Sequence, residues 1–210
     1  MGIAVPEGVY YGDIEGDITV DEFLKIYDLP DNEGKKLELI DGHIVAMAGN
    51  ANINHHRISG FLFNKIYNHL EGKPCEVFQD INVYLYNEGS RKNKNVFQPD
   101  IMVGCDRDKM ALGGYKGAPD FIIEIISKST SSNDYLLKTY HYMKSGVKEY
   151  WIVDLYQNLI SVYINDGDDS LIVRAYTFND EIKISILDDF NIDFNIDFKE
   201  ILKIVDLNLK

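Results

Sequence analysis

The chain has 210 residues, 45% of them apolar and 26% charged, a composition that can bury a sizeable core. Its 21 basic against 34 acidic residues leave a net charge of −13, which argues against a protein that coats nucleic acid by neutralising phosphates. No stretch reaches the roughly 20 apolar residues of a bilayer-spanning helix, and the first 17 residues lack the basic and apolar regions of a signal peptide.

A cytoplasmic, non-membrane protein is therefore expected. Cys75 and Cys105 form neither a metal spacing nor a disulfide framework, and read as small buried hydrophobes in a reducing compartment. Residues 1–17 read as an N-terminal arm and 18–210 as one domain. Ile18 to Tyr27 predicts a short helix, with Thr19 as cap and Glu22 three residues on. Lys36–Ile40 and His43–Met47 predict a hairpin turned by Asp41-Gly42. On its first strand Leu37 and Leu39 share one face, while Glu38 shares the other with Ile40 and reads as exposed.

Residues 54–70 predict an amphipathic helix with the stripe Ile58, Phe61, Leu62 and Ile66. His55 falls within that stripe and His56 outside it. Val77 to Tyr86 and Phe97 to Val103 predict one strand each, with Pro99-Asp100 at the entrance of the second. The apolar run after Pro119-Asp120 carries one carboxylate, Glu124, and reads as a strand that Asp120 shares. A hydroxyl-rich turn, a helix and the apolar run Tyr150–Val153 follow. Leu159–Ile164 and Leu171–Phe178 predict an antiparallel edge pair, Glu181–Leu187 a further strand, and residues 198–204 a terminal helix. The order gives an α/β (α+β) fold, a mixed sheet flanked by helices with an added edge hairpin.

A lone glutamate in so apolar a strand is costly unless it has a partner or a job. If the strand entered at Asp100 lies beside it, the two carboxylates meet and can hold a hard cation such as Mg²⁺. Such an ion polarises a phosphate and lowers the pKa of a bound water. Structural readings stand beside this one. Pro-Asp recurs at 119–120 and is a common turn pair. Asp134 and Lys138 are spaced as a surface ion pair. Helical periodicity sets Lys138 opposite the stripe Leu136, Tyr140, Met143 and Val147. His55 fits a core or capping histidine.

Several motifs occur in order: Glu38-Leu-Ile-Asp-Gly, His55 opening a helix, Pro99-Asp100-Ile-Met-Val, Gly117-Ala-Pro-Asp-Phe-Ile-Ile-Glu124-Ile-Ile-Ser, Asp134-x-x-x-Lys138-x-x-x-Tyr142, and Gly146-Val-Lys-Glu-Tyr-Trp-Ile-Val-Asp. Together they resemble the Uma family of restriction-endonuclease-like proteins, within the PD-(D/E)XK nuclease superfamily. The resemblance implies a restriction-endonuclease-like core and a metal-dependent endonuclease acting on DNA. It implies Asp100 and Glu124 as ligands of Mg²⁺ or Mn²⁺, with the Ile125 carbonyl as a further ligand. The superfamily's lysine, two residues after the glutamate, would fall at Ile126. By resemblance Lys138, on the following helix, replaces it and turns inward. Glu38 and His55 match positions that neighbour the site.

A homodimer suits an enzyme that cuts both strands, and Arg91, Lys92, Lys94, Lys116 and Lys128 are the candidate phosphate contacts. The alternative is a catalytically inactive or regulatory module that binds nucleic acid or protein on the same fold. Ile126 and the charge of −13 favour it.

Overall fold

The opening helix forms as α1 (Val20–Tyr27), started by Thr19 and Glu22, each of which accepts the other's backbone N–H. It belongs to a computed structural model that describes residues 18–47, 53–85, 95–126, 132–167, 170–187 and 190–194. The expected N-terminal arm and terminal helix lie outside these residues, as do Arg91, Lys92, Lys94 and Lys128. The hairpin of β1 (Lys36–Ile40) and β2 (His43–Met47) sets Ile40 opposite His43. Its two-residue turn has φ of +50° at Asp41 and +82° at Gly42, the geometry that an Asp-Gly pair supplies.

After α2 (Ile53–Leu70), two expected strands each break in two. The first becomes β3 (Glu76–Phe78) and β4 (Val83–Leu85), with Asp80 at φ +50° between them. The second becomes β5 (Asn95–Phe97) and β6 (Ile101–Gly104), parted by Gln98-Pro99-Asp100. Pro99 cannot donate to a ladder, which suits a point where pairing stops. Each break carries the chain from one sheet to another.

The short β7 (Met110–Ala111) and β8 (Gly114–Lys116) precede the buried β9 (Phe121–Ile126). Then come α3 (Ser132–Lys144), β10 (Glu149–Asp154), β11 (Leu159–Asn165) and β12 (Leu171–Thr177). The central sheet runs β12-β11-β10-β9-β6-β3 and is mixed, β9 and β10 being parallel and the other pairs antiparallel. The expected edge pair is β11 and β12. A flanking sheet, not anticipated as such, runs β2-β1-β5-β4-β8-β7. The expected strand after Thr177 is shorter, β13 (Glu181–Lys183), and among the described residues pairs only with β14 (Asn191–Asp193).

Helix α2 lays Ile58, Leu62, Ile66 and Leu70 on one face of the central sheet, against Ile101, Phe121, Ile123 and Trp151. The opposite face, with Met102, Ile122 and Tyr150, meets Tyr142 of α3 and Val83, Leu85 and Phe97 of the flanking sheet. Helix α1 covers the far side of that sheet through Phe23. Both faces of β9 are thus closed, which explains its unbroken apolar run.

Two expectations are corrected. Cys75 and Cys105 are not separate thiols but a disulfide joining the segment before β3 to the end of β6. On α3 the first half of the predicted stripe is turned outward, Leu136 being 69% exposed and Tyr140 also exposed, while Met143 and Val147 pack against the core and Lys138, His141 and Tyr142 are buried. No helix among the described residues is long and apolar enough to cross a membrane. Replacing Ile123 by Ala should destabilise the protein by about 2–5 kcal/mol. Leu136→Ala should cost less than about 0.5 kcal/mol. Urea unfolding of both variants checks that the closed strand β9, and not the outer face of α3, carries the packing.

Candidate functional site

Lys36, Glu38 and Ile40 alternate with Leu37 and Leu39 along β1, and their face meets the central sheet. Glu38 is therefore not exposed, as its strand position alone suggested, but 0% accessible. Its Oε1 accepts from the Gln98 N–H at 3.0 Å and from the Lys138 ammonium at 2.9 Å. Its Oε2 is buried without a hydrogen-bond partner among the described residues.

Asp100 stands where the chain enters β6. The antiparallel register pairs Ile101 with Ile123 and Met102 with Ile122, and continued by one residue it sets Asp100 opposite Glu124. Opposed residues of this kind share a face with Cβ atoms about 4.5–5.5 Å apart. The Ile125 N–H donates to Asp100 Oδ2 at 2.8 Å, and His55 Nε2 lies 3.1 Å from the same oxygen. His55 reaches it from the first turn of α2, at the end of that helix's apolar stripe. Asp100 Oδ1 faces the Lys36 ammonium at 3.1 Å.

Lys138 points inward. Its ammonium, 2% exposed, donates to Glu124 Oε1 at 3.0 Å as well as to Glu38. The Tyr142 hydroxyl, one helical turn on, donates to the same Glu124 oxygen at 2.9 Å. Lys138, expected on the surface, is paired with two buried carboxylates, and the Asp134 side chain expected as its partner lies outside what is described. Periodicity failed here because it weighs hydrophobicity, whereas an ammonium with two buried acceptors is satisfied inside.

The charges follow from this geometry. Burial alone would lower the pKa of Lys138, but Glu124 and Glu38 outweigh it and hold the ammonium above the ordinary lysine range. Burial pushes Glu124 up, the Lys138 charge opposes this, and Asp100 adds to it. Burial also works against Asp100, yet Lys36, His55 and the Ile125 N–H together hold it well below the usual carboxylate range. Lys36, which burial disfavours, is held high by Asp100 and Glu124. Three carboxylates (Glu38, Asp100, Glu124) thus face two ammonium groups and the His55 ring.

The donor set narrows which cation fits. No group of three or more His, Cys, Asp or Glu among the described residues is arranged around a metal. His55 is spent on Asp100. What remains is a pair of hard carboxylates, which suits Mg²⁺ or Mn²⁺ with several retained waters rather than Zn²⁺ in a protein cage.

Lys36, Gln98 and Tyr142 belong to this network and were assigned no role from the sequence. Lys36 carried a signal, since it lies two residues before Glu38 on the same strand face. Tyr142 lies four residues after Lys138 on the same helix face. The second Pro-Asp pair proves structural: Asp120 accepts from the Cys105 N–H at 2.7 Å and pairs with Lys148 at 2.7 Å.

The site lies in an α+β protein whose mixed sheet opposes two carboxylates beside a buried lysine. A solved structure from Anabaena variabilis, described as "a putative nuclease belonging to DUF820", shares the fold with a TM-score of 0.68 and 22% identity. The match covers 85% of this chain and 98% of that one. The chain belongs to the Uma2 family, described as "Putative restriction endonuclease", whose sequence profile matches residues 20–197. It is also 27% identical over 156 residues to an uncharacterized protein of Synechocystis, covering 73% of this chain and 79% of that protein.

Removing one partner of a buried ion pair leaves the other charge uncompensated. Lys138→Met should therefore cost about 3–5 kcal/mol near neutral pH. Glu124, with its folded pKa already raised, rises further in the variant. Its contribution is then fully present below the unfolded pKa and lost as pH rises through the folded one. The gap between variant and wild type should consequently narrow from pH 8 towards pH 5, as measured by urea unfolding.

Proposed function

We propose that this protein is a divalent-metal-dependent endonuclease that hydrolyses phosphodiester bonds in DNA. The reading is carried by the opposition of Asp100 and Glu124 across β6 and β9, with the Lys138 ammonium drawn inward onto Glu124. Asp100 and Glu124, with the Ile125 carbonyl, would hold Mg²⁺ or Mn²⁺, which when bound polarises the phosphate and acidifies a water. The protein's own groups do the positioning. His55 and the Ile125 N–H orient Asp100, while Tyr142 and Lys138 orient Glu124.

Lys138 is held as an ammonium, so its role is to steady the attacking water and the charge that develops on phosphate, not to take a proton. Glu38 fixes that ammonium in place before substrate arrives, which spares reorganisation during reaction. A homodimer would present two such sites to the two strands of a duplex.

Linear, supercoiled and single-stranded DNA should be cleaved by the wild type with Mg²⁺ and not with a chelator. Asp100→Asn and Lys138→Gln, checked for folding by circular dichroism, should each lose about 100-fold or more in rate. Equal activity in all three proteins would identify a contaminant.

A second reading, an inactive or regulatory module, draws on the pairing of both lysines inside the network. Calorimetry separates the two, because that module binds no Mn²⁺ through Asp100.

A further inference from the structure

Two cations of different standing meet the carboxylate pair. Lys138 is sealed on α3 between Glu38 and Glu124. Lys36 is not sealed. Its side chain is 25% exposed, and its ammonium is shared between Asp100 Oδ1 at 3.1 Å and Asp80 Oδ1 at 3.2 Å. The Asp80 side chain is 63% exposed. It lines a cleft of about 630 Å³ with Tyr27, Lys35, Lys36 and Gln98. One end of the reach of Lys36 is therefore buried and the other opens to solvent. Asp100 Oδ2 is committed to His55 and the Ile125 N–H. Oδ1 is thus the oxygen open to another cation, and Lys36 covers it.

We propose that Lys36 is a resident counter-cation of this site, covering Asp100 Oδ1 in the metal-free protein and withdrawing to Asp80 when a divalent ion enters. The inference rests on the metal-dependent reading of Asp100 and Glu124. Two opposed, buried carboxylates repel each other and are costly without a cation between them. An ammonium supplies that cation when no metal is bound. Beside a divalent ion the same ammonium becomes a repelling neighbour. Asp80 gives it a paired position outside, so the exchange strands no charge in the interior. Metal affinity is accordingly set by competition with Lys36, and the positioning role of this residue is separate from the chemistry.

The test is Mn²⁺ binding to the full chain, followed by paramagnetic resonance of the free ion, together with thermal melting with and without Mn²⁺. Lys36→Met should tighten binding about tenfold or more, since one neighbouring unit charge shifts a carboxylate's proton affinity by roughly one to three powers of ten. Its melting temperature without metal should fall, and its gain on adding Mn²⁺ should exceed that of the wild type. Asp80→Asn keeps a residue that tolerates φ of +50° but removes the position to which Lys36 withdraws. That variant should bind Mn²⁺ more weakly than wild type, and it carries the test alone if Lys36→Met does not fold. Unchanged or weaker binding in Lys36→Met, or unchanged binding in Asp80→Asn, would overturn the counter-cation role and leave the metal reading standing. Mn²⁺ binding that is absent from wild type and Lys36→Met alike, or that survives Asp100→Asn, would overturn the metal reading and this inference with it.

Discussion

One ammonium held between two buried carboxylates constrains the rest of this fold. Glu38 comes from the flanking sheet, Glu124 from the central sheet and Lys138 from α3, so a single charged group ties three elements together. Burying three charges is expensive, and their mutual attraction offsets that only with good geometry and further hydrogen bonds. Gln98 and Tyr142 supply those bonds. The rotation of α3 follows. To bring Lys138 and Tyr142 inward, the helix must turn Leu136 and Tyr140 out, exposing apolar surface that periodicity alone would bury.

This separates what was legible in the sequence from what was not. Elements whose cause is local could be read directly. The Thr19–Glu22 box, the Asp41-Gly42 turn and the His55–Ile66 stripe each rest on residues a few positions apart. Strand breaks depend on which sheet accepts each half, a property of distant partners. Val77 to Tyr86 alternates well enough to pass for one strand, yet its halves pair with β6 and with β5 and β8. The disulfide was illegible for the same reason: β3 brings Cys75 beside the strand that ends before Cys105 only through long-range pairing.

The two breaks also explain why the candidate site lies where it does. Where a chain leaves one sheet for another, its backbone groups stop pairing with neighbours and can serve side chains instead. The Gln98 N–H, freed between β5 and β6, goes to Glu38. Asp100, just before β6 begins, takes the Ile125 N–H across the open end of the ladder. Backbone donors freed at the breaks thus serve carboxylates, including the mid-strand Glu38, without breaking up either sheet.

Glu149 offers an internal comparison, because burial raises its pKa as it raises that of Glu124, and it too sits in a closed strand. The two residues face opposite sides of the central sheet. Glu149 accepts from the Trp151 indole at 2.7 Å and from the Ser185 and Ile186 backbone N–H groups at 2.6 and 3.3 Å. Its donors are neutral and built into the fold, and they fasten the segment after β13 to the sheet. Glu124 instead meets an ammonium and a tyrosine hydroxyl, with a second carboxylate opposite and another lysine within its field. A buried carboxylate satisfied by neutral, fixed donors has reached its lowest-energy arrangement. One balanced by cations can exchange one cation for another, and the metal-dependent reading proposed above rests on that difference between Glu124 and Glu149.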